Sequence, residues 1–324
     1  MVLGRFARVS KFLLNTVPIQ RSKHVQYNFM ALIPPAYLNS VISIGVKARD
    51  GEGKPIFKSL ATGFLIGKAI TEKDEKGMRT FKLFVVTNRH VFYDEIKKEY
   101  VKEVLFRFNT TDNKSQHFKI SLLNSDGKPI WSMHEKESVD LAVLPINPSV
   151  MKEANIEYYF FREEETFFAK DFAKKNISTG DELFVLGFPM SISGKAKNFV
   201  IVRQGIIARV DEEVLEENFY YVDASTYPGN SGGPVIVKPG IVSIKGTTSN
   251  NSAGLIGVIS SGETYSDVAI SQQTGEPKII FTEQTGLVRI VSAEHIYEII
   301  DMILKSKAPD QEARVENASP EIKE

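Results

Sequence analysis

From about Asn39 the chain alternates short runs of β-branched and aromatic residues with clusters of turn residues. Val41–Val46, Ala61–Ile66, Phe81–Val86, Val104–Phe108, Phe118–Leu122 and Leu141–Pro145 read as six strands. The charged stretch Thr71–Gly77 between the second and third reads as a surface turn. Residues 151–179 break the pattern: they are rich in Glu, Lys, Phe and Ala, and Phe167–Lys174 is placed for a short helix. Six further strands follow at Glu182–Leu186, Phe199–Ala208, Phe219–Val222, Gly233–Val237, Leu255–Ser260 and Leu287–Ile290. The period then changes, and Ile296, Ile299, Ile300, Met302 and Ile303 fall on one face of a helix over Ala293–Leu304. The expected fold class is therefore all-β: two antiparallel six-stranded barrels followed by a C-terminal helix. The implied boundaries are a basic N-terminal segment over 1–38, barrels over 39–150 and 181–291, a connection over 151–180, the helix over 292–306, and a polar tail over 307–324 expected to be disordered.

Composition narrows the function classes. The 324 residues are 42% hydrophobic and 25% charged, enough apolar material for a sizeable core. Forty basic and forty acidic residues cancel, so nothing electrostatic singles out nucleic acid as a partner. No run approaches the ~20 apolar residues of a membrane span. The absence of cysteine excludes disulfides, a thiolate nucleophile and cysteine-ligated metals, and fits a reducing, cytoplasmic setting. The five histidines are scattered with no pair at metal-ligand spacing, so no metal or other cofactor is expected. The N-terminus has no continuous apolar core of a secretory signal. It does carry Arg5, Arg8, Lys11, Arg21 and Lys23 with no acid before Asp50. Leu3, Phe6, Leu13 and Val17 share a helical face, which leaves three readings open: a helix packed on the domain, a membrane-surface or regulatory-partner contact, or a transit peptide.

The chemistry concentrates in Pro228-Gly-Asn-Ser-Gly-Gly-Pro234. A serine hydroxyl attacks a carbonyl poorly unless it is held exposed beside donors for the developing oxyanion. Glycines around Ser231 permit a tight turn, and the N–H groups of Gly229 and Ser231 are candidates for those donors. A bare Gly-x-Ser-x-Gly is as often a surface turn; this longer segment, followed by the apolar run Val235–Val237, is far more specific. A base follows from Phe84-Val-Val-Thr-Asn-Arg-His-Val91, where His90 falls just past a strand end and before a helix-like stretch at Tyr93–Lys98. Asp140, at the start of the apolar run Leu141–Leu144, is the candidate to orient that imidazole. His90 and Asp140 then belong to the first barrel and Ser231 to the second, with the site in the cleft between them.

These motifs resemble the trypsin/chymotrypsin family of serine proteases, most closely its cysteine-free bacterial HtrA/Deg-type branch without a PDZ domain. Ala61–Ile66, Thr87–Val91, Asp140–Val143, Leu186-Gly-Phe-Pro189 and Asp223–Pro234 carry the likeness, which spans about Ser40 to Leu304. The resemblance implies a chymotrypsin-like double barrel and a serine endopeptidase that acts on a protein or peptide substrate through an acyl-enzyme. It implies further that Leu255–Gly262 is the substrate-binding strand, with the backbone of Ser260 and Gly262 pairing an extended peptide beside Ser261. Ser225, six residues before the nucleophile, takes the pocket-floor position, which argues against a Lys or Arg preference; Lys238–Ala253 holds no acid, and Glu263, just after Gly262, is the nearest in sequence that could supply the missing charge. Asn230 stands where secreted trypsins carry the aspartate that receives a new N-terminus, so that activation switch is not expected. The competing reading is a catalytically silent module that keeps the barrels and holds extended peptides in the cleft.

Overall fold

The computed structural model describes residues 17–18, 33–72, 79–240, 244–306 and 315–317. All twelve expected strands are present. In the first unit they are β1 (Val41–Arg49), β2 (Pro55–Ala69), β3 (Thr80–Thr87), β4 (Glu103–Asn109), β5 (Ser115–Ser121) and β6 (Ala142–Ile146). The helix α1 (Arg89–Phe92) lies between β3 and β4. The second unit contains β7 (Glu182–Gly187), β8 (Ile201–Arg209), β9 (Phe219–Asp223), β10 (Pro234–Val237), β11 (Gly254–Ile270) and β12 (Pro277–Ser292), and α2 (Glu294–Lys305) follows.

The second unit is a closed barrel in the order β7-β8-β9-β12-β11-β10. The first runs β5-β4-β1-β2-β3-β6. With the strands of each unit lettered a to f in chain order, both follow the ring a-b-c-f-e-d. Every ladder of that ring is made in the second unit, whereas the first lacks the one between e and f. A two-fold repeat invisible in the residues is thus present in the topology.

The apolar runs explain the layering. Alternate side chains of β2 and β3 point to opposite faces. Leu65, Leu83 and Val85 fill the first barrel with Phe106, Phe118 and Leu144. Phe64, Ile66, Phe84 and Val86 instead meet Phe184, Leu186, Ile236 and Val258 of the second barrel, together with Ile296 and Ile300 of α2. Strands buried on both faces read as continuous hydrophobic runs, as Phe64-Leu-Ile66 and Phe84-Val-Val86 do. A separate core of Leu183, Val185, Ile207, Tyr220, Val222 and Ile290 fills the second barrel.

Some local expectations need correction. Tyr93–Lys98 is not helical: Tyr93–Asp94 pair with Glu99–Tyr100 in a small hairpin, and α1 ends at Phe92. The Asp94 carboxylate accepts the Ile96 and Lys97 N–H groups, a local turn that competes with helix. Phe167–Lys174 forms 3₁₀ turns over Ala169–Asp171 and Ala173–Lys175 instead of one helix. β11 and β12 run far past the expected Ser260 and Leu287 limits. The N-terminal helical face falls outside the described residues, apart from Val17–Pro18, which pair with Thr80–Phe81. In the tail, Val315–Asn317 pair with Phe118–Ile120, and its other residues from Lys307 on lie outside the described ones, as do residues 73–78 of the charged turn. No helix among the described residues is long and apolar enough to cross a membrane.

Candidate active site

Strand register brings the first two candidates together. β3 and β6 pair antiparallel with Thr87 opposite Ala142, so the three residues after Thr87 face the two before Ala142 across the sheet end. Fifty residues of sequence thereby become one contact. Asp140 Oδ2 lies 2.7 Å from His90 Nδ1, and Oδ1 accepts the His90 backbone N–H at 3.1 Å. Asn88 Nδ2 donates to the Asp140 carbonyl at 2.8 Å, and Arg89 Nη1 to the Glu137 carbonyl at 3.1 Å. One carboxylate thus holds both the ring and the backbone of His90, which fixes the ring's orientation. The His90 side chain keeps 41% of its exposure, and Nδ1 is the ring nitrogen engaged by the carboxylate.

The imidazole pKa lies above its ordinary value. Burial of the ring pulls it down, but the hydrogen bond and negative charge of Asp140 outweigh that pull. A neutral ring held with Nδ1–H on the carboxylate offers Nε2 as an acceptor, the form a general base requires.

The serine turn comes from the second barrel and is locked onto the first. Thr62 of β2 donates its N–H to the Ser231 carbonyl at 2.9 Å and its hydroxyl to the Gly229 carbonyl at 2.6 Å. Thr87 Oγ1, three residues before His90, donates in turn to the Thr62 carbonyl at 2.8 Å. Gly232 has φ +81°, and a Cβ there would lie 2.2 Å from the Thr62 carbonyl and 2.3 Å from Thr87 Oγ1. Gly229, at φ +102°, would meet the Phe188 carbonyl at 2.3 Å. Both glycines are therefore required by conformation and by close approach. The Ser231 hydroxyl makes no hydrogen bond to His90 among the described residues.

The candidate oxyanion donors are oriented by their neighbours. The Pro228 carbonyl accepts the Met190 N–H at 2.7 Å, so the trans peptide turns the Gly229 N–H the opposite way. The N–H groups of Gly229 and Ser231 have no protein acceptor among the described residues. Asn230 is buried with its N–H on the Tyr227 carbonyl, and its side-chain oxygen has no partner among the described residues.

Ser260 does more than the sequence indicated. Its hydroxyl donates to Asp140 Oδ2 at 3.0 Å, so the strand expected to bind substrate also clamps the carboxylate. Ser261 is exposed and Gly262 half-buried on the same strand. Ser225 is exposed, not set in a closed floor, and its carbonyl accepts from Arg203 Nη1 at 2.9 Å. The Arg203 guanidinium also sits 4.9 Å over the Tyr227 ring. Arg203 was invisible to sequence reasoning, because only the pairing of β8 with β9, opposite the serine turn, brings it there. Glu263 is engaged by Arg289 at 2.5 Å, and so is already neutralised.

Away from the cleft, the fold gathers His134, His295 and Glu298, whose ligand atoms lie within 4.8 Å of one another. His134 Nε2 and His295 Nδ1 both contact Glu298 Oε2, at 2.8 and 2.7 Å. Sequence spacing could not reveal this group, since His134 comes from the first unit and the others from α2. The Lys136 N–H donates to His134 Nδ1 at 3.1 Å, which leaves the proton on Nε2. That tautomer suits a hydrogen bond to Glu298 and not a metal at Nε2.

Two sequential barrels with a His–Asp pair on one and a glycine-bound serine turn on the other define a two-barrel peptidase architecture. The family model for the trypsin-like peptidase domain matches residues 61–241, more than half of the chain, and the chain belongs to that family. No curated protein matches it. Among solved structures, the Rv3671c protease in its inactive form aligns at 14% identity and a TM-score of 0.37, over 83% of this chain and 91% of that one.

Proposed function

We propose that this trypsin-like peptidase is a serine endopeptidase: Ser231 attacks the scissile carbonyl, His90 takes and returns the proton, and Asp140 holds the imidazole. The Gly229 and Ser231 N–H groups receive the oxyanion, and the backbone of Ser260 and Gly262 aligns the peptide. The observation that carries this reading is the Asp140 carboxylate, bonded at once to His90 and to Ser260. It ties the candidate base to the strand whose Ile259 carbonyl accepts the Gly232 N–H at 3.0 Å. Triad hydrogen bonds to the nucleophile are often loose without substrate, so the missing Ser231–His90 bond is compatible with activity.

In the chemical sequence, Ser231 Oγ forms a bond to the carbonyl carbon while its proton passes to His90 Nε2. The tetrahedral oxyanion then collapses, the C–N bond breaks, and the amine leaves with that proton. Water repeats the cycle to release the acid and restore Ser231. A fluorophosphonate probe tests the assignment. The wild-type chain should be labelled stoichiometrically at Ser231, and Ser231→Ala should be folded, unlabelled and inactive beyond residual oxyanion effects. Labelling or cleavage by Ser231→Ala at the wild-type rate would refute the nucleophile. A wild-type chain that binds peptides yet is never labelled would favour the silent module instead.

A further inference from the structure

β11 and β12 project well beyond the closed barrel. β10 pairs with β11 only as far as Val258, and β9 pairs with β12 only from Leu287. From Thr264 to Gln284 the two strands pair, among the described residues, only with each other. Every residue from Thr264 to Thr285 except Ser271 is exposed. Tyr265, Ile270, Ile279, Ile280 and Phe281 are each more than half exposed. The register sets Thr264, Ser266 and Val268 beside Gln284, Thr282 and Ile280 on one face, and Tyr265, Asp267 and Ala269 beside Glu283, Phe281 and Ile279 on the other, so apolar side chains stand uncovered on both faces. A lone two-stranded ribbon is marginal in water, and uncovered apolar surface of this kind marks a contact.

The position of the ribbon identifies the contact. The edge of β11 that β10 leaves bare begins at Ile259, whose N–H bonds the Gly233 carbonyl and whose own carbonyl holds the Gly232 N–H. It therefore starts at the Ser231 turn, passes Ser260, Ser261 and Gly262, and continues to Ile270 with no strand against it among the described residues. An uncovered edge presents unpaired N–H and C=O groups along its length.

We propose that this edge is an extended substrate track: the peptide segment N-terminal to the cut adds as an antiparallel strand past Gly262 and along Thr264–Ile270. The inference rests on Ser231 as nucleophile and specifies the substrate class, an extended segment reaching about six residues further from the cut than Ser260–Gly262 alone could hold. Between 264 and 285 the ribbon carries three acids, Asp267, Glu276 and Glu283, against the single base Lys278, while Glu263 at its foot is paired with Arg289. It favours apolar or basic residues in that segment and repels acidic ones.

The test lengthens a quenched-fluorescence peptide on its N-terminal side only, from three residues before the cut to ten, with the full chain as enzyme. The kcat/KM should rise about tenfold, mainly through KM, as main-chain pairing adds affinity. N-methylation of alternate amides in the added segment should cancel the gain. Replacing residues 265–283 by a two-residue turn should make the two lengths cleave alike; if that variant does not fold, the N-methylated peptides decide the matter on the wild-type chain. Equal kcat/KM for short and long peptides on wild type would overturn the track and leave the nucleophile assignment intact. A wild-type dimer lost in the shortened variant, without length dependence, would overturn it in favour of a second copy. No cleavage at any length and no fluorophosphonate labelling would remove the reading on which the inference rests.

Discussion

The two barrels share one ring of strands and differ in what hangs from it. In both, the connection between the third and fourth strands carries candidate chemistry: His90 lies between β3 and β4, and Ser231 between β9 and β10. The connection between the fifth and sixth strands diverges. In the first unit the ladder is missing: Val315–Asn317 pair with β5 in its place, and the chain from Leu122 to Leu141 crosses to β6, with Ile130 N–H on the Leu122 carbonyl and Ser132–Met133 alongside β6. That crossing segment ends at Asp140. In the second unit the same ladder is over-extended into the exposed ribbon. A seam left open frees a loop to deliver an acid, and a seam drawn out delivers a free edge.

The sharpest way to break this comparison is to disarm the loop that the open seam supplies. Asp140→Asn should fold, because the amide still accepts from the His90 N–H, yet turnover should fall by roughly 10⁴, the magnitude known for the corresponding change in serine proteases with this triad. The pH profile separates loss of orientation from a general defect. On the proposed mechanism activity needs neutral His90, whose pKa is held above the ordinary ~6.5 by Asp140 against the opposing effect of burial. Wild-type kcat/KM should therefore rise with pH through a midpoint above ~6.5. In Asp140→Asn that charge is gone and burial, the largest single influence on the ring, is opposed only by the weaker pull of Glu95, so the residual activity should titrate at lower pH. Unchanged turnover would mean that another group orients the ring.

A smaller effect is expected from the pocket, which belongs to the second unit alone. Arg203 reaches the Ser225 carbonyl and stacks on Tyr227, both in the segment leading to Ser231. A lysine or arginine before the cut would meet a like charge there, and Glu263 is already held by Arg289. Peptide profiling should show uncharged or acidic residues preferred over Lys and Arg. Arg203→Met should narrow that ratio by about tenfold or less, the size of an incompletely desolvated charge contact. A strong wild-type preference for Lys or Arg would sink this account.

Much of this was legible in the sequence, for physical reasons. Strands with a buried face announce themselves by alternation or by continuous apolar runs, so the twelve strands and α2 could be read, as could the motifs around His90, Asp140 and Ser231. The ribbon was missed because neither of its faces is buried: Thr, Ser, Gln, Asp and Glu mix with Tyr, Val, Ile and Phe, and no core-facing period survives. The Tyr93–Lys98 turn was misread because the competing Asp94 carboxylate acts through hydrogen bonds and not through periodicity. Arg203, and the second role of Ser260, depend on cross-strand and inter-barrel contacts that no local pattern encodes.

The smallest predicted effect concerns how the open unit is fastened to the closed one. His134 leads into the Asp140 loop, while His295 and Glu298 lie on α2, and the single Glu298 oxygen Oε2 bridges both rings. The same loop meets the second barrel through Lys136 Nζ on Asn218 Oδ1 and Asn218 Nδ2 on Ser138 Oγ. Burial of the Glu298 carboxyl raises its pKa, but the hydrogen bonds from His295 and His134 outweigh that, and the net shift is downward. A carboxylate with a depressed folded-state pKa contributes stability that is fully present above its unfolded value near ~4.3 and is lost as pH falls through the folded value. The side chain is 52% exposed, so solvent screening keeps the contribution to the ~0.5 kcal/mol scale of surface pairs. Glu298→Gln should therefore lower Tm by only about 1–2 °C at pH 7, and the difference from wild type should vanish as the pH falls below about 4. Cleavage of peptides should be unaffected if the clip only fastens the loop. A loss of turnover in Glu298→Gln, with the pH midpoint of His90 moved, would mean instead that the clip on α2 sets the position of Asp140, and that the open seam needs the second unit's helix to hold its acid in place.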